Sequence, residues 1–277
     1  MRILLATLFF LAVFQIPAPS GAIEDGPGPD KVDKTEAGGD KAPPTVDELV
    51  RYFEIIVFQS EFKSAAASTL IKKWTGPLRV AIRTFDEVTE KVDGRDVMRL
   101  KQGKVKQPHI RFIQKHLNSL IQATGLKTED AKKTGKDPNF IINFVPRNQL
   151  ANSHLAKVDP KLLRQMAAQG GCFFLMWADR KSGNISKAVI VVNSERLLIR
   201  INHCLLEEMT QSLGLPNDSN LINPSIFSDS SRRTDLTRTD LIILKTLYDR
   251  RMKVGMPHEK AMAVAVDIIR ELNATLP

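Results

Sequence analysis

Apolar positions along this chain recur at two spacings, and the spacing changes segment by segment. Over residues 46–62 (VDELVRYFEIIVFQSEF), Leu49, Phe53, Ile56 and Val57 fall at helical intervals and predict a helix. After the Gly76-Pro77 turn, LRVAIRTF (78–85) predicts a strand. HIRFIQKHLNSLIQATG (109–125) returns to helical spacing and stops at Gly125. NFIINFVP (139–146) predicts a strand ended by Pro146, and DPKLLRQMAAQGG (159–171) a short helix closed by two glycines. CFFLMWAD (172–179) is a buried strand; the turn at Lys181-Ser182-Gly183-Asn184 leads into KAVIVVNSE (187–195), its hairpin partner and the expected edge of the sheet. A helix over 200–214 and a long polar loop follow. Two further helices, TRTDLIILKTLYDRR (237–251) and PHEKAMAVAVDIIREL (257–272), close the pattern, with Pro257 suited to a helix start. The sum is an α+β domain with a mixed sheet. The fraction of apolar residues, 43%, is enough for a real core.

The first 45 residues break this rhythm. One Arg precedes an apolar run from Ile3 to Ile16, and Ser20 and Ala22 stand at the spacing of a cleavage site. The run is too short for a bilayer, so residues 1–22 read as a secretory signal peptide. Residues 23–45 are Gly, Pro and charge, cannot bury apolar surface, and read as a disordered linker. The domain therefore spans 46–277, with no transmembrane span once the signal is cleaved, in a secreted or periplasmic protein. Export changes the meaning of the two cysteines: in an oxidising compartment Cys172 and Cys204 predict one disulfide.

The formal charge is +9; removing Arg2 from the 40 basic residues leaves 39 against 31 acidic, a net of +8. Much of the excess lies in KQGKVKQPHIRFIQKH (101–116), which reads as a solvated loop and helix face. Its single Phe, Phe112, makes no interleaved aromatic series for base stacking, so no nucleic-acid partner is expected. Anionic envelope components remain compatible with such a surface.

The chemistry concentrates in EEMTQSLGLPNDSNLINPSIF (207–227). On a helix turning about 100° per residue, Leu205, Leu206, Met209 and Leu213 share one sector, and His203, Cys204, Glu207, Glu208 and Gln211 the other. Zinc peptidases place H-E-x-x-H at this spacing, with a glycine, a third histidine and an apolar turn following. Here Glu207, Gln211 and Asn217 occupy the three ligand positions, Glu208 that of the general base, and Gly214 that of the glycine. Two carboxamides and a carboxylate make a poor zinc site. They leave hard oxygens, joined by Asp218 if it turns inward, which would hold Ca²⁺ weakly. The residues therefore predict no cofactor. They serve equally well as mutual hydrogen-bonding partners that fix the cleft. Weaker readings take His203 and Glu207 as a ligand pair, or Cys204 as a nucleophile served by His154 or His109. Trp74 and Trp177 read as core.

The segment HCLLEEMTQSLGLPNDSNLINPSIFSD also resembles the signature of an uncharacterised bacterial family of exported proteins, with CLLEE, TQ, LGLPNDS and a following apolar turn. The resemblance extends to FEIIVFQSEF, KKWTGPLRVAI, NFIINFVP and LTRTDLIILKTLYDRRMKVGM, from Tyr52 to about Ile269. It implies a single zincin-like domain with a cleft-lining helix and C-terminal helices, and it implies no activity. Two functions are then expected. One is a non-catalytic peptidase relative that binds a peptide or envelope component along 187–195 by strand addition. The alternative is an atypical hydrolase with Glu208 as general base, with or without a non-zinc metal.

Overall fold

Thr45 starts the described domain with a reciprocal cap on α1 (Val46–Phe58): its Oγ1 accepts from the Glu48 amide (3.2 Å), and the Glu48 carboxylate accepts from the Thr45 amide (2.8 Å). The face bearing Leu49, Tyr52, Phe53 and Ile56 is fully buried, as the spacing predicts. The computed structural model describes residues 42–59, 68–168 and 170–277. Residues 42–277 form one compact unit. The signal peptide and nearly all of the linker read from the sequence lie outside the described residues, as do residues 60–62 of the predicted helix; Gln59, predicted helical, is extended and ends α1.

Among the described residues six strands build one mixed sheet: β1 (Lys73–Trp74), β2 (Val80–Val92), β3 (Arg95–Gly103), β4 (Phe140–Val145), β5 (Cys172–Ala178) and β6 (Asn184–Asn193). β2, β4 and β6 run parallel, with Ile82 beside Ile142 and Ile142 beside Ile190. β5 pairs antiparallel with β6, from Cys172 opposite Val192 to Ala178 opposite Ile185. β6 thus lies between β4 and β5. The expectation that residues 187–195 form an edge is wrong; among the described residues β5 pairs with β6 alone, so β5, like β3, is an edge strand. Burial agrees: Ala188 to Asn193 are buried throughout, whereas β5 is only partly covered.

β2 runs seven residues past the predicted end, to Val92, where Asp93 and Gly94 (φ 51° and 76°) turn the chain back into β3. Asp-Gly with both φ positive is the hairpin signal whose backbone twist matches its strands. This hairpin stands largely in solvent, with Met98 63% exposed.

The sheet separates two apolar layers. Phe140, Ile142, Phe144, Ile190 and Val192 face the larger one, packed with α1, α2 (Gln107–Thr124), α5 (Leu198–Gln211), α6 (Arg238–Tyr248) and α7 (His258–Thr275). Ile141, Val145, Val189 and Val191 face the smaller one, closed by Leu150 and by Leu163 and Met166 of α4 (Pro160–Ala167). A four-residue helix, α3 (Ala131–Thr134), caps the loop before β4. The basic stretch 101–116 ends β3 and begins α2, and Lys101, Lys104, Lys106 and Arg111 are exposed, away from the cleft described below. No helix among the described residues is long and apolar enough to cross a membrane.

Candidate functional site

α5 leaves β6 after a short turn and lies against the sheet. Its inner face, Ile201, Leu205, Leu206 and Met209, is fully buried in the larger layer. The opposite face carries His203, Cys204, Glu207, Glu208 and Gln211, and all five line a cleft of about 180 Å³. The facing walls come from Gly171 and Cys172 at the start of β5, Arg196 and Arg200 around the start of α5, and Asp218, Asp229 and Arg232 of the following loop. Four carboxylates and three guanidiniums thus share one small space, which suits a ligand with both charged and backbone polar groups.

Cys172 and Cys204 form a disulfide, as their count predicts, with Cα atoms 6.2 Å apart. It fastens the free edge strand to the cleft helix. Closing a loop of 32 residues removes chain entropy worth about 3–4 kcal/mol on the loop-closure view. Arg196 Nη1 lies 3.9 Å from Cys204 Sγ, and a Cβ on Gly171 would sit 2.5 Å from the same nitrogen. The absent side chain at Gly171 is what admits the guanidinium to this corner.

The residues at the peptidase-like positions divide. Glu207 Oε2 lies 3.4 Å from His203 Nε2, one turn earlier, while His203 Nδ1 contacts the Arg233 carbonyl (2.8 Å). Gln211 Nε2 donates to Asp218 Oδ1 (2.6 Å). Asn217 is absent from the cleft wall; its amide side chain donates to the Asp218 carbonyl (2.9 Å) and its backbone N–H to Ile56 O (3.3 Å). Asp218, the next residue, takes the inward place. Gln211 presents its N–H to an acid, so its oxygen, Glu207 and Asn217 do not form the converging donor set a zinc ion needs. The described residues at these positions do not fit zinc.

Gly214 links the two halves of this segment. Its φ of 110° is strained for any residue with a Cβ, and a Cβ there would lie 2.1 Å from the Lys72 carbonyl oxygen. Beyond it the apolar turn at Ile226 and Phe227 is buried and held from below. Tyr52 Oη donates to Ser225 Oγ (2.8 Å), and Ser225 Oγ donates to Asp240 Oδ1 (2.6 Å). Asp240 also accepts from the Ile226 amide (3.2 Å) and, through Oδ2, from the Thr237 amide (2.7 Å). Burial raises the Asp240 carboxyl above the ordinary carboxylate range and raises the Tyr52 phenol as well.

The weaker candidates are placed elsewhere. The disulfide removes Cys204 as a nucleophile. His109 is buried and stacked on Phe144 (4.1 Å between ring centroids), where desolvation holds its pKa down to about 4. His154 is exposed on the loop after β4. His116, buried in α2, contacts Asn202 Oδ1 (2.8 Å) and joins α2 to α5. Trp74 is core, donating its Nε1–H to the Ser212 carbonyl (3.0 Å); Trp177 is half-buried in the smaller layer beneath the Lys187 ammonium. Helical spacing could not find Arg196, Arg200 and Arg232, because they reach the cleft from the ends of elements. The one sequence signal was the pair of arginines four residues apart at the start of α5.

Searches of curated proteins and of solved structures return no match. The model of a family described as protein of unknown function (DUF2927) matches residues 46–266, and the chain belongs to that family.

Proposed function

We propose that the chain is an exported, non-catalytic relative of zinc peptidases whose cleft receives an extended peptide laid along β5. One observation carries this reading: among the described residues β5 is an edge strand of the sheet, and the Cys172–Cys204 bond joins its first residue to the helix that lines the cleft. A peptide adding as a further strand would find unpaired backbone groups along β5. At the Cys172 end it would then enter the space between Glu207, Glu208 and the three arginines. The zincin-like ancestry is supported by the order of parts, a polar-faced helix, a glycine turn and a buried apolar turn from Glu207 to Phe227. The loss of catalysis is supported by the donor set, which does not fit zinc, and without a bound cation no water is made acidic near neutral pH.

The test begins with random peptides displayed on phage and selected on the immobilised full chain. Selected peptides are synthesised and their binding is measured by calorimetry. Strand addition predicts that N-methylation of alternate residues abolishes binding, while methylation of the intervening residues leaves it intact, because successive amides of a strand face opposite ways. Loss of binding without this period of two overturns the reading. Mass spectrometry of each peptide after long incubation checks for cleavage. Cleavage that disappears in Glu208→Gln would establish the hydrolase in its place.

A further inference from the structure

We propose that the Cys172–Cys204 bond masks a zinc site, opened by reduction, in which the two cysteines and Glu208 are the protein ligands. Cys204 and Glu208 stand one turn apart on α5, the spacing that lets two side chains of one helix reach a common point. Cys172 approaches from the start of β5. The two Sγ atoms and a Glu208 carboxylate oxygen all lie within 4.8 Å of one another. A tetrahedral zinc with bonds of about 2.3 Å to sulfur and 2.0–2.2 Å to oxygen holds its ligands roughly 3.4–3.8 Å apart. The three atoms therefore start close to the required spacing, and the sulfurs must part once the bond between them is reduced.

This donor set differs in kind from Glu207, Gln211 and Asn217. Two thiolates supply the soft ligands zinc prefers, where the amides supply none. Two thiolates and one carboxylate carry −3, which zinc reduces to −1, and Arg196 and Arg200 line the same cleft to offset the remainder. Glu208 already has an interaction in this structure, so binding exchanges its partner. Three protein ligands leave a fourth position, which water completes.

The redox step balances with a dithiol reductant. The reductant loses two electrons and two protons as its own disulfide forms; the Cys172–Cys204 bond gains them and becomes two thiols. Zinc then displaces both thiol protons to solvent. The proposal is independent of strand addition at β5, and its test uses no peptide.

The experiment treats the full chain with a phosphine reductant, which does not compete for zinc as a dithiol would, removes it without oxygen, and adds cobalt(II) and then zinc. The reduced chain should show a thiolate-to-cobalt charge-transfer band that zinc abolishes at about one equivalent, and the oxidised chain should show none. Cys172→Ser and Cys204→Ser should each lose the two-thiolate band. Glu208→Gln should keep a thiolate band but bind zinc about tenfold more weakly or worse. Far-ultraviolet circular dichroism and the thermal midpoint follow the fold throughout. If the reduced chain stays folded and takes up neither metal, the proposal fails. Should reduction loosen the chain, zinc must raise its midpoint, and a midpoint unmoved by zinc is equally fatal. A band that survives both serine substitutions also overturns it.

Discussion

The two ends of the segment from Glu207 to Phe227 are polar for different reasons. At the first end Glu207, Glu208 and Gln211 face a cleft, among arginines and other carboxylates. At the second, Ser225 is sealed beneath the apolar turn with Tyr52 and Asp240, and Asp240 is fully buried. The first arrangement leaves charge where a ligand can reach it. The second uses a carboxylate as a scaffold, answering backbone amides that would otherwise be buried without partners. Polar residues 18 positions apart in one motif therefore do opposite work. The difference comes from the helix packed beneath the turn, not from the motif itself.

The largest test of this contrast is at Asp240. Removing the carboxylate in Asp240→Ala leaves the Ile226 and Thr237 amides and the Ser225 hydroxyl with no acceptor. Each such orphan costs about 1–3 kcal/mol, so a loss of roughly 3–5 kcal/mol is expected in denaturant unfolding. Asp240→Asn should cost less than half of that. Burial already disfavours the charge at this position, so losing the charge matters less than losing the acceptors. Equal costs for Ala and Asn would mean that the ionised form is what the turn requires.

Sequence pattern alone reached the layout but not the order. Strands at 140–145, 172–178 and 184–193 and the helices between them follow from spacing. Which strand lies inside the sheet does not, because β5 and β6 are both apolar runs and their period is blind to neighbours. The β2–β3 hairpin was legible at Asp93-Gly94, flanked by alternating residues, and went unread because charged residues on both strands give it no apolar face. In the cleft, the common face of Glu207, Glu208 and Gln211 follows from 3.6 residues per turn. The exchange of Asn217 for Asp218 does not, since a turn has no period and a one-residue rotation decides which side chain points inward.

Gly214 lies between the two ends and tests whether they are coupled. Gly214→Ala meets both an unfavourable φ and the Lys72 carbonyl, and is expected to cost about 2–3 kcal/mol. The bulk should fall on the loop that follows. Hydrogen exchange would then rise over residues 215–229 while α5, anchored by Cys204 and its buried face, keeps its protection. Exchange rising across α5 instead would show that the glycine holds the cleft helix itself.

The smallest effect is expected at the cleft end, and there smallness is the informative outcome. Glu207→Gln changes one partner of a largely buried pair with His203, whose side chains are 18% and 12% exposed, and leaves a side chain of the same shape. The Gln amide keeps polar atoms facing the imidazole, so the loss should stay near the net worth of one hydrogen bond, about 1 kcal/mol, and the unfolding midpoint in urea should move little. Peptide affinity, by contrast, should fall, because the change removes charge from a ligand-facing wall. A destabilisation approaching that of Asp240→Ala would place Glu207 in the scaffold with Asp240. The contrast between the two ends would then vanish, and with it the reason to regard the helix face as a binding surface.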